Sequence, residues 1–373
     1  MVASLAAAQP AQFETHTVAT DLRAGYQVVV ADLNHDGKPD LIALASSMSE
    51  LVWFENPSWE RHVLASGLSG MINCVVLEPG PQIVLASGFN MHARNSQGIV
   101  SLLEPDGDPR RPWKIREIDR LPASHRLRLA HIDGGRPVVI NAPLTGAEAE
   151  PPDYRGATPL VYYRPGEWKR QTISDENTGI VHCIFITDWD GDGRDDILTA
   201  SFTGIHLFRF DPGPDGRPRW TRTQLAAGDP SPWPKSGSSD VAVGNLAGSR
   251  FLAAIEPWHG NQVVIYRLQG GQWARRVIDD SLTDGHALVV ADFDGDGKDE
   301  VIAGYRGAGG NVYRYVSADA SGERWTRETL DAGMAAAACA VADLNGDGRP
   351  DVACIDATRL RWYENRMPAA KAK

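Results

Sequence analysis

The chain has 373 residues, 42% apolar and 23% charged, and 37 basic against 48 acidic side chains leave a formal net charge of −11. That balance repels a phosphate backbone and no basic cluster offsets it, so nucleic acid is excluded as a partner; no apolar run reaches the roughly 18 residues a membrane-spanning helix needs. Long stretches at helical spacing are also missing, which excludes an all-helical protein.

In chain order, residues 1–12 (MVASLAAAQPAQ) are small and alanine-rich, disordered in character and similar to the surroundings of a signal-peptide cleavage site, so export to the periplasm or beyond the cell is expected. From Phe13 a pattern begins that recurs to the end. An aromatic followed by alternating charged and apolar residues stands at Phe13, Trp59, Trp113, Trp168, Trp220, Trp273 and Trp325, with spacings of 46, 54, 55, 52, 53 and 52. Each repeat runs in the same order: this strand, a polar loop, an apolar run such as VVVADL, a loop, a second apolar run such as DLIALA, and a third such as ELVWFEN. Seven units of four short strands predict an all-β, seven-bladed β-propeller. Arg359–Asn365 (RLRWYEN) has no aromatic-led strand after it, and Phe13 has no blade before it. Residues 13–19 are therefore expected to complete the last blade and close the ring, giving one domain over 13–365 and a disordered tail over 366–373. The chain is expected to act as a monomer.

Four repeats carry an acidic loop between their first and second strands: DLNHDGKPD, DWDGDGRDD, DFDGDGKDE and DLNGDGRPD. Their oxygen donors fall at positions 1, 3, 5 and 9: Asp32, Asn34, Asp36, Asp40; Asp188, Asp190, Asp192, Asp196; Asp292, Asp294, Asp296, Glu300; and Asp343, Asn345, Asp347, Asp351. Oxygen donors around a turn glycine suit Ca²⁺ in a structural role, clipping the hairpin. Position 12 holds Ala43, Thr199, Ala303 or Cys354 inside a β run, which excludes an EF-hand. The equivalent stretches at 77–82, 131–136 and 245–250 lack the acids, so those blades are expected to hold no metal there. The loops resemble the FG-GAP or VCBS repeat, a calcium-loop propeller repeat that serves adhesion and catalysis alike.

Function is expected at the other end of the ring. Six residues before each first ligand stand Tyr26, His182, His286 and Ala337, and the degenerate repeats align Asn73, His125 and Ser239, with Asp240 beside it. The loops between second and third strands add His92, Arg94, Tyr154, Arg155, Trp258, His259, Asn261, Tyr305 and Arg306. Five of the ten histidines thus fall on one end. Imidazoles there suit either a divalent transition metal or general acid–base work, with Arg94, Arg126 or Arg306 beside a developing oxyanion and Trp or Tyr stacking on a sugar ring. His92, His125, His182 and Tyr305 are the candidate catalytic residues.

The segments SHRLR, GIVHC, EPWHGNQVVIYR and DGHALVVADFDGDGKDEVIAGYRGAGGNVY are similar to the propeller of aldos-2-ulose dehydratase and of seven-bladed lyases that cleave rhamnose-glucuronate linkages. The resemblance implies a carbohydrate substrate, elimination across a carbon–oxygen bond of a uronate-containing or keto-sugar, base or acid roles for His92 and His125, and pocket or metal positions at His182, His259 and His286. Asn73 stands where the rhamnose-glucuronate lyases are expected to carry a second catalytic histidine. A non-catalytic carbohydrate- or protein-binding propeller is the alternative.

Of the four cysteines, none forms a C-x-x-C pair, and Cys74, Cys183, Cys339 and Cys354 are expected as buried free thiols.

Overall fold

The computed structural model describes residues 12–77, 80–133, 136–213, 218–319 and 321–367. Twenty-eight strands assemble into seven antiparallel sheets of four. Six are consecutive in sequence. The seventh joins Ala338–Ala342, Asp351–Ile355 and Leu360–Asn365 to the N-terminal strand Phe13–Ala19, whose Phe13 pairs with Asn365. The expected closure is therefore present. Phe13 packs edge-on against Phe293 of the neighbouring blade, and His16 stacks on Trp362 at 4.4 Å, so the seam is held by rings as well as by backbone bonds. No helix among the described residues is long and apolar enough to cross a membrane.

Apolar residues fill the space between blades, because each sheet buries both faces against its neighbours. One cluster joins Leu41, Val52 and Phe54 of blade 1 to Ala353, Leu360 and Trp362 of blade 7, and equivalent clusters recur around the ring. The inner strands are Gly25–Ala31, Asn73–Leu77, Ser124–Asp133, Val181–Thr187, Asp240–Leu246, Gly285–Ala291 and Ala338–Ala342, and they line a central channel.

Two sequence expectations need correction. Cys339 and Cys354 form a disulfide. They stand directly opposite one another on paired strands, with Cα atoms 4.1 Å apart, a proximity that a 15-residue separation does not reveal without the hairpin register. Cys74 and Cys183 are free and buried, as expected. The tail is also ordered further than expected: the Arg366 N–H donates to the carbonyl of Gln12, and Met367 is buried. The remaining calls at the two ends, over 1–11 and 368–373, lie outside the described residues.

Candidate metal and acid–base site

Four inner strands contain a register shift near their start, and each of these falls on a functional candidate. The pairing skips Tyr26 between Gly25 and Gln27, His125 between Ser124 and Arg126, His182 between Val181 and Cys183, and His286 between Gly285 and Ala287. In the other three blades the inner strand begins in register, with Asn73 opposite Ala86, Asp240 opposite Ile255 and Ala338 opposite Ile355. A bulged residue leaves the in–out alternation of its strand, which frees its side chain to turn toward the axis. The bulges thus bring one phenol and three imidazoles together.

The loop between the second and third strands of blade 5 adds His259. Its backbone is left-handed, with φ 49°, and Gly260 follows because a Cβ there would come within 2.2 Å of the Glu256 carbonyl oxygen. Ring centroids of His182, His259 and His286 lie 4.9–5.1 Å apart, and a nitrogen from each falls within 4.8 Å of the others.

Their outer nitrogens decide the tautomers. His182 Nδ1 lies 3.1 Å from the Ser239 carbonyl, and His286 Nδ1 bonds the Ala337 carbonyl. A carbonyl only accepts, so both Nδ1 atoms carry the proton and both Nε2 atoms keep a lone pair. His259 Nδ1 lies 3.3 Å from Asp284 Oδ1, an acceptor, and 3.3 Å from Arg306 Nη2, a donor, so its outer nitrogen faces one group of each kind; Asp284 and Arg306 are themselves paired at 3.2 and 3.1 Å. His182 Nε2 and His259 Nε2 face each other at 3.3 Å: with the His259 proton on Nε2 it donates to His182, and with the proton on Nδ1, toward Asp284, two lone pairs meet and a cation between them would be held by both. Two imidazoles with their outer N–H groups held by carbonyls, and a third with a carboxylate beside its outer nitrogen, match the way proteins orient metal ligands.

Burial, with Arg126 or Arg306 nearby, pushes His182 and His286 well below the usual imidazole value and His259 to about 4. All three are neutral at pH 7, as ligands must be.

Beside this trio, the Tyr26 hydroxyl lies 3.0 Å from His125 Nε2 and 3.3 Å from His286 Nε2. Arg126 Nη1 reaches the same His125 nitrogen at 3.1 Å. A guanidinium cannot accept, so His125 Nε2 is the acceptor and its proton sits on Nδ1, which has no partner among the described residues. Burial and Arg126 hold His125 neutral as well.

The structure therefore gathers Tyr26, His125, Arg126, His182, His259, His286 and Arg306. Asp284 and Ser239 complete the site. Asp284 had received no role from the sequence, although it stands two residues before His286 and adopts a positive φ of 60°.

His92 and Arg94 are corrections. The blade 2 loop folds into a short 3₁₀ turn that carries them outward, where both are exposed and pair with Glu150 at 3.3 and 3.2 Å. His92 borders an outer groove with Phe89, Met91 and Tyr154. Tyr305 is also outside the cluster: its hydroxyl donates to the Gly309 carbonyl and accepts from Asn311, bracing its own blade. Asn261 likewise donates to the Asp280 carbonyl, and Arg155 lies over the Trp233 ring. Trp258 packs on both His259 and Tyr154, linking the groove to the imidazoles. Asn73 is buried one layer deeper and accepts from the Leu127 N–H at 2.7 Å.

At the opposite end, the four acidic loops share one geometry. The carboxylates of Asp32, Asp188, Asp292 and Asp343 each accept the N–H groups four and five residues on. Asp40, Asp196 and Asp351 are buried and accept backbone N–H bonds on both oxygens, one from their own loop and one from the third strand. Burial raises these three to about 6 and Glu300 to about 8. Asp188, Asp190 and Asp192 converge within 4.8 Å, as do Asp292, Asp294 and Glu300, a donor set that fits a hard cation. In blade 6, however, the buried Arg314 already lies 3.2 Å from Glu300 and 3.5 Å from Asp294.

Comparison with known proteins agrees with this architecture. Residues 97–269 match the model of the aldos-2-ulose dehydratase β-propeller domain, and residues 24–49 and 292–354 match FG-GAP repeat models. The chain is a seven-bladed propeller, two stretches of which match FG-GAP repeats. The aldos-2-ulose dehydratase of Phanerodontia chrysosporium is 26% identical over 312 residues, covering 73% of this chain but only 33% of that protein's length. Among solved structures, the propeller of BBS1N, crystallised with ARL6DN, superposes with a TM-score of 0.60 at 13% identity over 95% of this chain and 96% of its own. The rhamnogalacturonan lyase YesW gives 0.51 at 15% identity, over 98% and 78%. These two likenesses concern the fold.

Proposed function

We propose that the histidine end is a metal-assisted carbon–oxygen lyase site for a uronate-containing or keto-sugar. The observation that carries this reading is the convergence of three neutral imidazoles, two of them with their Nε2 lone pairs inward, beside a phenol hydrogen-bonded to a fourth imidazole. His182, His259 and His286 would hold a divalent ion that favours nitrogen, such as Zn²⁺, which when bound supplies Lewis acidity toward a carbonyl or hydroxyl oxygen of the sugar.

The remaining work falls to this chain's own groups. The Tyr26–His125 pair takes the proton from the carbon next to the carbonyl or carboxylate. The electron pair left behind forms the double bond, the β carbon–oxygen bond breaks, and the departing oxygen takes its proton from the same pair. Arg126 sets a positive charge 5.5 Å over the Tyr26 ring, beside the reacting groups. Tyr154 lines the groove and Trp258 packs edge-on against it, an aromatic pair suited to orienting a sugar ring. In the acidic loops Ca²⁺ would act structurally, neutralising carboxylates that burial otherwise disfavours as ions.

The test is incubation with uronic-acid oligosaccharides and with 2-keto and 3-keto sugars, following an ultraviolet-absorbing unsaturated product. Product that depends on Tyr26 and His182 supports the lyase. Sugar binding without product from any substrate favours the binding propeller, a reading to which the aromatic groove lends weight.

A further inference from the structure

Behind the histidine layer the channel widens into a cavity of about 390 Å³. Exposure along the inner strands increases away from the histidines, from buried at Val181–Ile184 to half-buried at Phe185–Thr187 and likewise in blades 1, 6 and 7, so this chamber opens toward the acidic-loop end. Its walls are mostly the valines and alanines of the inner strands, but its floor is charged. Arg126 and Arg128, two residues apart on the inner strand of blade 3, both face it, with Asn73 from blade 2 and Asp240 from blade 5.

The polar groups do not satisfy one another. Arg128 Nη1 donates to the Leu127 carbonyl at 2.8 Å and to Asn73 Oδ1 at 3.3 Å, and Arg126 Nη1 is engaged by Tyr26 and His125. Among the described residues no carboxylate is in ion-pair contact with either guanidinium. Asp240 instead accepts the Val241 N–H at 2.9 Å, and the Cys183 thiol beside it donates to the Val241 carbonyl. Asn73 is 1% exposed, its Oδ1 is fixed by the Leu127 N–H, and its Nδ2 has no partner. Two guanidiniums against one carboxylate leave one positive charge, because the imidazoles above are neutral and burial pushes the Cys74 thiol up to about 12 and Cys183 higher still. A buried charge without a counter-charge is strongly unfavourable, and an orphan amide donor beside it adds to the cost.

We propose that this chamber binds one small carboxylate, held by Arg128, Arg126 and the Asn73 amide. The volume accommodates anything from acetate to a single sugar acid. The group bound is the same whether the carboxylate is a free small anion or belongs to a sugar acid, and the experiment separates the two. The proposal does not depend on a metal at the histidines or on any reaction there.

Thermal unfolding of the full chain is followed in chelator at constant ionic strength, with acetate, glucuronate, glucose or chloride added. A saturable upward shift of a few degrees with carboxylates, and none with glucose, is expected. Acetate matching glucuronate marks a free-anion site; glucuronate acting at far lower concentration marks a sugar-acid site. The shift should vanish in Arg128→Gln and persist, weakened, in Arg128→Lys, which keeps the charge should the glutamine variant not fold. A crystal soaked with 4-bromobenzoate, whose aryl bromide does not alkylate the Cys74 and Cys183 thiols of the chamber, should place bromine in the channel with its carboxylate at Arg128. No carboxylate shift, an equal shift with chloride, a shift undiminished in Arg128→Gln, or bromine elsewhere in the crystal and none in the channel would overturn the proposal.

Discussion

The two ends of the ring are built on opposite principles. Each acidic loop is nine consecutive residues folded on themselves, with the same pair of N–H bonds to the first aspartate in four blades. The histidine site is assembled once, from bulges in blades 1, 3, 4 and 6, a loop of blade 5, and carbonyls at the inner-strand entries of blades 5 and 7. A modular feature can be lost from one blade without consequence for the next. A convergent one needs every contributor, and it arises where the repeats differ from one another.

The hardest way to break this contrast is to open the ring. Removing residues 13–19 takes the outer strand from blade 7, leaves Trp362 without its stacked His16, and should abolish the cooperative melting transition in calorimetry, because closure supports both ends at once.

Next come the site residues. Tyr26→Phe should lower product formation by ~10²–10⁴-fold with metal content unchanged. His259→Ala should remove the bound metal, read by elemental analysis, with more than ~10²-fold loss of product, and Asp284→Asn, which only orients His259, should cost ~10–100-fold. His92→Ala, out on the groove, should change affinity for sugar more than turnover. Equal losses in all four would mean that the imidazole cluster is not the centre of the site.

The acidic end should respond to pH and calcium instead. Asp40, Asp196 and Asp351 have native values of about 6 against an ordinary 3.8, so the metal-free native state binds more protons than the unfolded chain between those limits. Their contribution to stability is therefore fully present below about pH 4 and lost as the pH rises through about 6. Melting temperature in chelator should fall across this window, and millimolar calcium, which binds the ionised form, should flatten or reverse the slope. An identical pH profile with and without calcium would leave these loops as turns alone. The smallest effect is expected from Tyr305→Phe: about 1 kcal/mol of stability from its two hydrogen bonds, read by denaturant titration, and unchanged product formation.

The sequence by itself determined the blade count, the strand order, the closing strand and the positions of the acidic loops. These are legible because a blade is a local unit: its period, its turn residues and the alternation of its strands lie within about 50 consecutive residues. It also brought His125, His182, His259 and His286 to one end by simple alignment. It did not say which of them meet. His92 and His259 occupy equivalent loops, yet one turns outward to Glu150 and the other, held left-handed beside Gly260, reaches Nε2 of His182. Tyr305 and Tyr26 were both candidate tyrosines, and a one-residue bulge aims Tyr26 at the axis while Tyr305 stays with its own blade. Cys339 and Cys354 became a pair through hairpin register alone. The same holds for Arg126 and Arg128, whose want of a carboxylate partner is visible only once the inner strands of blades 2, 3 and 5 surround one cavity. Register, bulge position and the left-handed residues are set by packing between blades, between residues tens to hundreds of positions apart, and a local pattern carries no record of those distances.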